Sequence, residues 1–285
     1  MKFDRIKNMK RPNEAERSIV KTYRKELWAP FVRGINDYNM IQPNDCIACC
    51  ISGGKDSMLM AKLFQELKKH GKMQFDVKFL VMNPGYNEAN LQRIIDNAEK
   101  LDIPIQVINT NIFEYVSTLD KSPCYICARM RRGHLYRIAQ ENGCNKIALG
   151  HHFDDVIETI LLSMFYAGQY QTMMPKLHSE NFEGMELIRP MYLIREQDIY
   201  RWCNHNQLEF IRCACKFTEE DEVENFSKRK EMKELIREMS KINPYVEKNI
   251  FKSAQNVNIT QVISYFDDDR HYHFLDTYDK GEKNE

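Results

Sequence analysis

Hydrophobic positions along the chain alternate between two periods. From Glu14 to Asn39, Val20, Tyr23, Leu27, Phe31 and Ile35 recur every three or four residues, which predicts one amphipathic helix. Asp45–Ile51 (DCIACCI) then runs through small and β-branched residues, the pattern of a strand buried on both faces. Ser57–His70 returns to helical spacing through Leu59, Leu63 and Leu67. The alternation repeats downstream. Phe75–Met82, Ile105–Ile108, Asn145–Leu149 and Glu186–Ile188 read as strands. Asn87–Leu101, Ala128–Asn142, Asp154–Tyr166 and Gln197–Asn206 read as helices, with stop signals at Asp102, Pro104, Gly143 and Gly168. Strands separated by helices of this length predict right-handed crossovers and an α/β fold built on a doubly wound parallel sheet.

After Phe210 the pattern changes. Residues 219–241 are densely charged, with helical spacing through Val223, Phe226, Met232, Leu235, Ile236 and Met239. Pro244–Val257 reads as one more helix, and from Asp267 onward the tail is polar and expected to be loose. The chain of 285 residues therefore divides into a helical N-terminal extension (1–40), an α/β domain (41–215), and a helical C-terminal extension with a polar tail (216–285).

Composition narrows the function. Lys and Arg total 41, matched by 41 Asp and Glu, so the chain is not a uniformly basic nucleic-acid binder; a local basic patch stays possible because fields act locally. No stretch approaches ~18 consecutive apolar residues, and the first residues carry no apolar signal core, so a cytoplasmic location without membrane contact is expected. Nine cysteines, an odd number, suit reduced thiols, metal ligation or redox chemistry better than disulfide stapling.

The strongest local signal is Ser52-Gly53-Gly54-Lys55-Asp56-Ser57, between the best strand and a good helix. Paired glycines let backbone N–H groups turn toward an anion, and the helix adds its positive N-terminal end. Lys55 supplies charge; Ser52 and Ser57 supply hydroxyls. Asp56 repels a bare phosphate, a conflict that Mg²⁺ between carboxylate and phosphates removes. Adjacent glycines followed at once by lysine depart from the Walker spacing. Gly150-His151-His152-Phe153-Asp154-Asp155 closes the fourth strand on the same sheet edge. Its acids suit Mg²⁺ or proton transfer, or else they cap the next helix.

Cys124-Tyr-Ile-Cys127 stands at a helix start followed by Arg129, Arg131 and Arg132, a setting that lowers thiol pKa values. Two thiols do not complete a four-coordinate metal site; Cys213 and Cys215 are the obvious further donors. Zinc, an iron–sulfur cluster and a thioredoxin-like redox pair all remain open on spacing alone. Cys46, Cys49 and Cys50 in the first strand read as core packing, and Cys144 and Cys203 read the same way. The arginines after Cys127 are placed to serve the site. Lys228, Arg229, Lys230, Lys233 and Arg237 are interleaved with glutamates and read better as a solvated helix.

SGGKDS resembles the signature of the PP-loop ATP pyrophosphatases. Together with CxxC-x-R-x-R-R-G, KIALGHHFDDVIETILLSMFYAG, MMPKL and IRPM, it resembles the tRNA 2-thiocytidine synthetase family from about Glu14 to Cys213. The resemblance implies a HUP-type α/β fold and an ATP-dependent tRNA sulfurtransferase. Such an enzyme adenylates the C2 oxygen of a cytidine, at tRNA position 32, and replaces it with sulfur. It implies ATP, Mg²⁺ and a 4Fe–4S cluster as cofactors. Ser52, Gly53, Gly54, Lys55, Asp56, Ser57, Gly150 and His151 would bind ATP, and Lys55, Asp56, Asp155 and Cys213 would act in catalysis. Cys124, Cys127 and Cys213 would hold the cluster, with Cys215 the alternative third ligand because Cys213-Ala-Cys215 departs from the family's PCxxC. Arg129, Arg131 and Arg132 would meet RNA. Implied partners are tRNA and a sulfur donor such as a cysteine desulfurase, with a homodimer allowed. Another adenylated acceptor, or a non-catalytic iron–sulfur redox sensor, are the competing readings.

Overall fold

The computed structural model describes residues 14–71, 73–116, 118, 123–211, 225–267 and 270–278. Strands β1 (Cys46–Ile51), β2 (Asp76–Asn83), β3 (Ile105–Asn109), β4 (Lys146–Ala148), β5 (Lys176–His178) and β6 (Glu186–Ile188) form one sheet in the order β3-β2-β1-β4-β6-β5. All neighbours run parallel except β5, which pairs antiparallel with β6 at the edge. β5 escapes the sequence pattern because it is a short edge strand with no buried residue, whereas β6, equally short, buries Leu187 and Ile188.

Side chains of β1 alternate between two cores, which is why this strand has no polar face. Ile47, Cys49 and Ile51 enter one core; Ala48 and Cys50 enter the other. The first core takes in α3 (Lys55–His70), α7 (Phe153–Ala167) and α8 (Glu196–His205), with Trp202, Phe64 and Ile157 buried there. The second takes in α5 (Ile112–Val116) and α6 (Pro123–Glu141), with Tyr136 and Ala139 against the sheet. Helices thus cover both faces, as doubly wound topology requires. The remaining crossover helix is α4 (Glu88–Lys100). Among the described residues no helix is long and apolar enough to cross a membrane.

The single helix expected over Glu14–Asn39 is broken into α1 (Glu14–Val20), a wide turn at Arg24–Trp28, and α2 (Ala29–Asp37). Pro30 is the physical cause: it lacks an N–H and its ring crowds the carbonyl of residue 26. The ladder widens there, and Ala29 N–H reaches back to Arg24 O. Ile19, Leu27 and Phe31 of this region lie in the first core, as do Ile236 of α9 (Asn225–Ile242) and Phe251 of α10 (Val246–Ser253). Phe251 stacks on Phe153 with ring centroids 4.7 Å apart.

The expectation of a loose tail beyond Asp267 is corrected. Ser264–Asp267 (β7) and Arg270–His273 (β8) pair antiparallel, and Leu275–Tyr278 (α11) follows. Tyr265 and Tyr272 sit directly opposite and stack at 4.9 Å, a cross-strand aromatic pair that compensates for the polar composition.

Lys62 of α3 is fully buried and ties three elements together. Its Nζ donates to Glu16 Oε2 of α1 (3.0 Å), Gln65 Oε1 (2.7 Å) and the carbonyl of Leu101 after α4 (2.8 Å). Removing one partner of a buried pair strands the other's charge. Lys62→Met is therefore expected to lower unfolding free energy by about 3 kcal/mol in urea titrations. An unchanged urea midpoint would show that the network contributes specificity rather than stability.

Candidate active site

A cavity of about 880 Å³ opens where β1, β2 and β4 end, between the two directions in which the sheet is wound. Ligands in open α/β sheets bind at this switch point. The turn after β1 forms its floor. Gly53 has φ +87°, and a Cβ built on it would lie 2.5 Å from Ile94 Cγ1 and 2.8 Å from Ile211 Cδ1. Only glycine satisfies both the left-handed backbone and that approach. Gly54, extended, caps α3, so the first-turn N–H groups of α3 face the cavity. The Ser57 hydroxyl braces the turn: it donates to Gly54 O (3.0 Å) and accepts from Ser52 N (3.2 Å). Gly150 brings β4 against the same turn, since a Cβ there would be 3.2 Å from Ser57 N.

Charges around the turn are paired. Lys55 Nζ lies 3.1 Å from both Asp56 Oδ2 and Glu196 Oε1, and 4.6 Å above the Tyr200 ring. Burial disfavours its charge, but Asp56, Glu196 and Tyr200 outweigh that and hold its pKa above the ordinary lysine value. Glu196 also pairs with Lys233 of α9. Arg229 of α9 reaches Asp155 Oδ1 (2.9 Å) and Glu158 Oε2 (3.2 Å). Burial pushes the Glu158 carboxyl up to about 7, aided by Asp155 and opposed by Arg229. Asp56 Oδ1 is buried and has no hydrogen-bond partner among the described residues.

The histidine pair divides its work. His152 caps α7: its Nδ1 accepts from Asp155 N (3.4 Å), and Asp155 Oδ2 accepts from His152 N (3.0 Å). Asp154 accepts from Glu196 N (2.7 Å) and Arg195, which makes it a brace for the start of α8. His151 lines the cavity. Arg189 Nε donates to His151 Nδ1 (3.3 Å), and its Nη1 is anchored on Met174 O. The neutral ring then carries its proton on Nε2. Burial, with Arg189 alongside, pulls His151 down to about 4, so the ring is neutral at pH 7.

Of the residues singled out in the sequence, Ser52, Lys55, Asp56, Ser57, Gly150, His151, Asp155, Arg131 and Arg132 line this one cavity. Gly53 and Gly54 shape its floor. Arg129 faces a separate shallow hollow with Tyr115, Ile126 and Met130. Helix α6 begins at Pro123, so the CxxC lies within its first turn, and Cys127 is buried one turn before Arg131. The Cys124 side chain, Cys213 and Cys215 lie outside the described residues. Ile211, two positions before Cys213, reaches Gly53.

Two readings of the sequence are corrected. The C-terminal basic cluster is not merely a solvated helix: Arg229, Lys230 and Lys233 line the cavity, because α9 packs on α7 and turns this face inward. Cys50 also touches the cavity rather than only the core. Glu158, Arg189, Glu196 and Tyr200 went unrecognised. Arg189 stands in the IRPM segment and Glu196 at the start of a helix, but neither position signals a long-range partner.

A family profile described as a PP-loop domain matches residues 21–242. The tRNA-cytidine(32) 2-sulfurtransferase of Coxiella burnetii (strain Dugway 5J108-111) is 34% identical over 239 residues, covering 82% of this chain and 90% of that protein. The protein of the same name from Geotalea uraniireducens is 34% identical over 229 residues, covering 79% and 88%. Among solved structures, the U34-tRNA thiolase NcsA from Methanococcus maripaludis with its [4Fe-4S] cluster superposes with TM-score 0.61 at 20% identity. That match covers 80% of this chain and 76% of that one, and it is a likeness of fold.

Glu158 gives the cavity wall a pH signature. Its folded-state pKa of about 7 exceeds the ordinary 4.5, so between these values the folded chain binds more protons than the unfolded one. Its contribution to stability is complete below pH 4.5 and is lost as pH rises through 7. Glu158→Gln is expected to flatten that decline when urea midpoints are compared at pH 5 and pH 8. A decline of the same size in the variant would assign it to other groups.

Proposed function

The chain belongs to the tRNA-cytidine(32) 2-sulfurtransferase family of PP-loop proteins, and on that footing we propose that it uses ATP to replace the C2 oxygen of a tRNA cytidine with sulfur. The observation that carries this reading is the glycine turn with Lys55 and the α3 N-terminus, facing a cavity that Arg131 and Arg132 enter from α6. Residues 41–215 hold this nucleotide site, and the segment from 216 onward adds the cations of α9.

ATP phosphates lie on the N–H groups of the turn and on Lys55, which exchanges Asp56 and Glu196 for phosphate oxygens. Mg²⁺ fits the donors present: Asp56 Oδ1 is buried without a partner among the described residues, and Asp155 lines the same cavity. Among the described residues no group of three or more His, Cys, Asp or Glu is arranged for an ion. When bound, Mg²⁺ offsets phosphate charge.

The C2 oxygen of the cytidine attacks the α-phosphorus, and pyrophosphate leaves. Arg229, Lys230 and Lys233 are placed to take up that leaving charge once phosphate displaces Asp155, Glu158 and Glu196 from them. His151 Nε2–H donates a hydrogen bond to an acceptor on nucleotide or base. Arg131 and Arg132 meet RNA phosphates, which position the substrate without reading its sequence. Sulfur then attacks C2 and AMP departs with the original oxygen.

The reading assigns a cluster to this cavity; of its cysteines, Cys127 has a described side chain. Cys127 is buried in the first turn of α6, and positions 124, 127, 131 and 135 fall on one helical stripe, of which Arg131 and Leu135 line the cavity. Ile211 brings the chain to the turn two residues before Cys213. Cys124, Cys127 and Cys213, with Cys215 the alternative, would hold a 4Fe–4S cluster, which would present sulfur as a nucleophile. A separate donor, such as a cysteine desulfurase, provides the sulfur.

Anaerobic turnover with ATP, sulfide and unmodified tRNA tests the reading. Pyrophosphate should form in step with 2-thiocytidine, and Lys55→Ala should lower the rate at least about 100-fold while the melting temperature holds. Pyrophosphate accompanied by a different thionucleoside would move the proposal to another base. Wild-type turnover in the variant would remove Lys55 from the site.

A further inference from the structure

Two cysteines unused by this chemistry meet at the opposite end of the sheet. Cys46 opens β1 and Cys144 precedes β4, whose pairing of Ile47 with Lys146 sets both at the amino-terminal edge. Their Sγ atoms are 3.3 Å apart. A disulfide needs ~2.0 Å, so the sulfurs must close by about 1.3 Å, a distance that side-chain torsions can supply.

The backbone holds the pair in register. Asn145 N donates to Cys46 O (3.0 Å), and Cys46 N donates to Asn145 Oδ1 (2.8 Å). The turn at Gly143, φ +70°, swings the chain back so that Cys144 N reaches Ala139 O (2.9 Å). Two strands and a helix end thus fix both thiols. Exposure differs between them: Cys46 is only partly buried and Cys144 is 4% exposed.

We propose that Cys46 and Cys144 form a reversible dithiol–disulfide site, oxidised by hydroperoxides and reduced by small thiols, separate from the cluster cysteines. Cys46, the accessible member, attacks as thiolate on the peroxide oxygen. One S–O bond forms, the O–O bond breaks, and hydroxide leaves. The Cys144 sulfur then displaces the hydroxyl of the Cys46 sulfenic acid, forming the S–S bond. The departing hydroxide takes the Cys144 proton and leaves as water. In sum, two thiols and one hydrogen peroxide give one disulfide and two waters. Burial, then Cys46, pushes Cys144 up to about 12, in keeping with a resolving rather than an attacking thiol.

The full-length chain, purified anaerobically, is treated with one equivalent of hydrogen peroxide, denatured, alkylated with iodoacetamide and digested. Mass spectrometry should show a peptide linking Cys46 to Cys144, two hydrogens lighter than the sum of its parts. Dithiothreitol should restore alkylation at both positions. In Cys144→Ser, dimedone should trap the Cys46 sulfenic acid; Cys46→Ser should give no linked peptide. Both thiols remaining alkylatable after oxidation, or Cys46 passing to sulfinic acid with Cys144 untouched in the unmutated chain, would overturn the proposal. So would a disulfide from Cys46 to any other cysteine.

Discussion

Everything at the cavity depends on how closely neighbouring segments approach one turn. Gly53 admits Ile94 and Ile211 where any Cβ would collide, and Gly150 lets β4 press on the start of α3. The two central strands therefore deliver their side chains to one point: the glycine turn with Lys55 from β1, and His151 with Asp155 from β4. A strand spacing of ~4.8 Å leaves no room to slide one set against the other. Packing on both sheet faces makes that spacing rigid, and the buried Lys62 network anchors the middle of α3.

The second constraint is electrostatic. The cavity carries Lys55, Arg229 and Lys233, and each is paired with Asp56, Asp155, Glu158 or Glu196. These acids keep the cations ordered and lower the repulsion among them. A polyphosphate entering the cavity exchanges one set of anionic partners for another, so little reorganisation is required of the cations themselves. Helix α9 matters for this reason: its cations come from beyond the α/β core, and they connect the C-terminal segment to the cavity.

Legibility in the sequence followed the range of the interactions. The doubly wound sheet could be read because β1 is buried on both faces and because the later crossover helices carry stop signals at Asp102, Pro104, Gly143 and Gly168. The glycine turn could be read because its chemistry lies within six consecutive residues. The wide turn before α2 needed only Pro30, yet helical periodicity masked it. Residues whose partners are distant in sequence stayed hidden. Glu196 meets Lys55 across 141 positions, and Cys46 meets Cys144 across 98. Arg229 looked like part of a solvated helix because it stands among lysines interleaved with Glu231 and Glu234, whereas its own partners lie on α7. Local pattern located the floor of the cavity, and tertiary packing supplied its walls.

The central claim is that the turn at Ser52–Ser57 activates an oxygen of the acceptor by joining it to AMP. The most direct measurement uses tRNA carrying a heavy-oxygen label at C2 of the target cytidine, with ATP and sulfide under anaerobic conditions. The account predicts that the label appears in AMP, one atom for each thiolated cytidine, with none in pyrophosphate. Unlabelled AMP alongside thiolated tRNA, or ADP and phosphate as the nucleotide products, would contradict it.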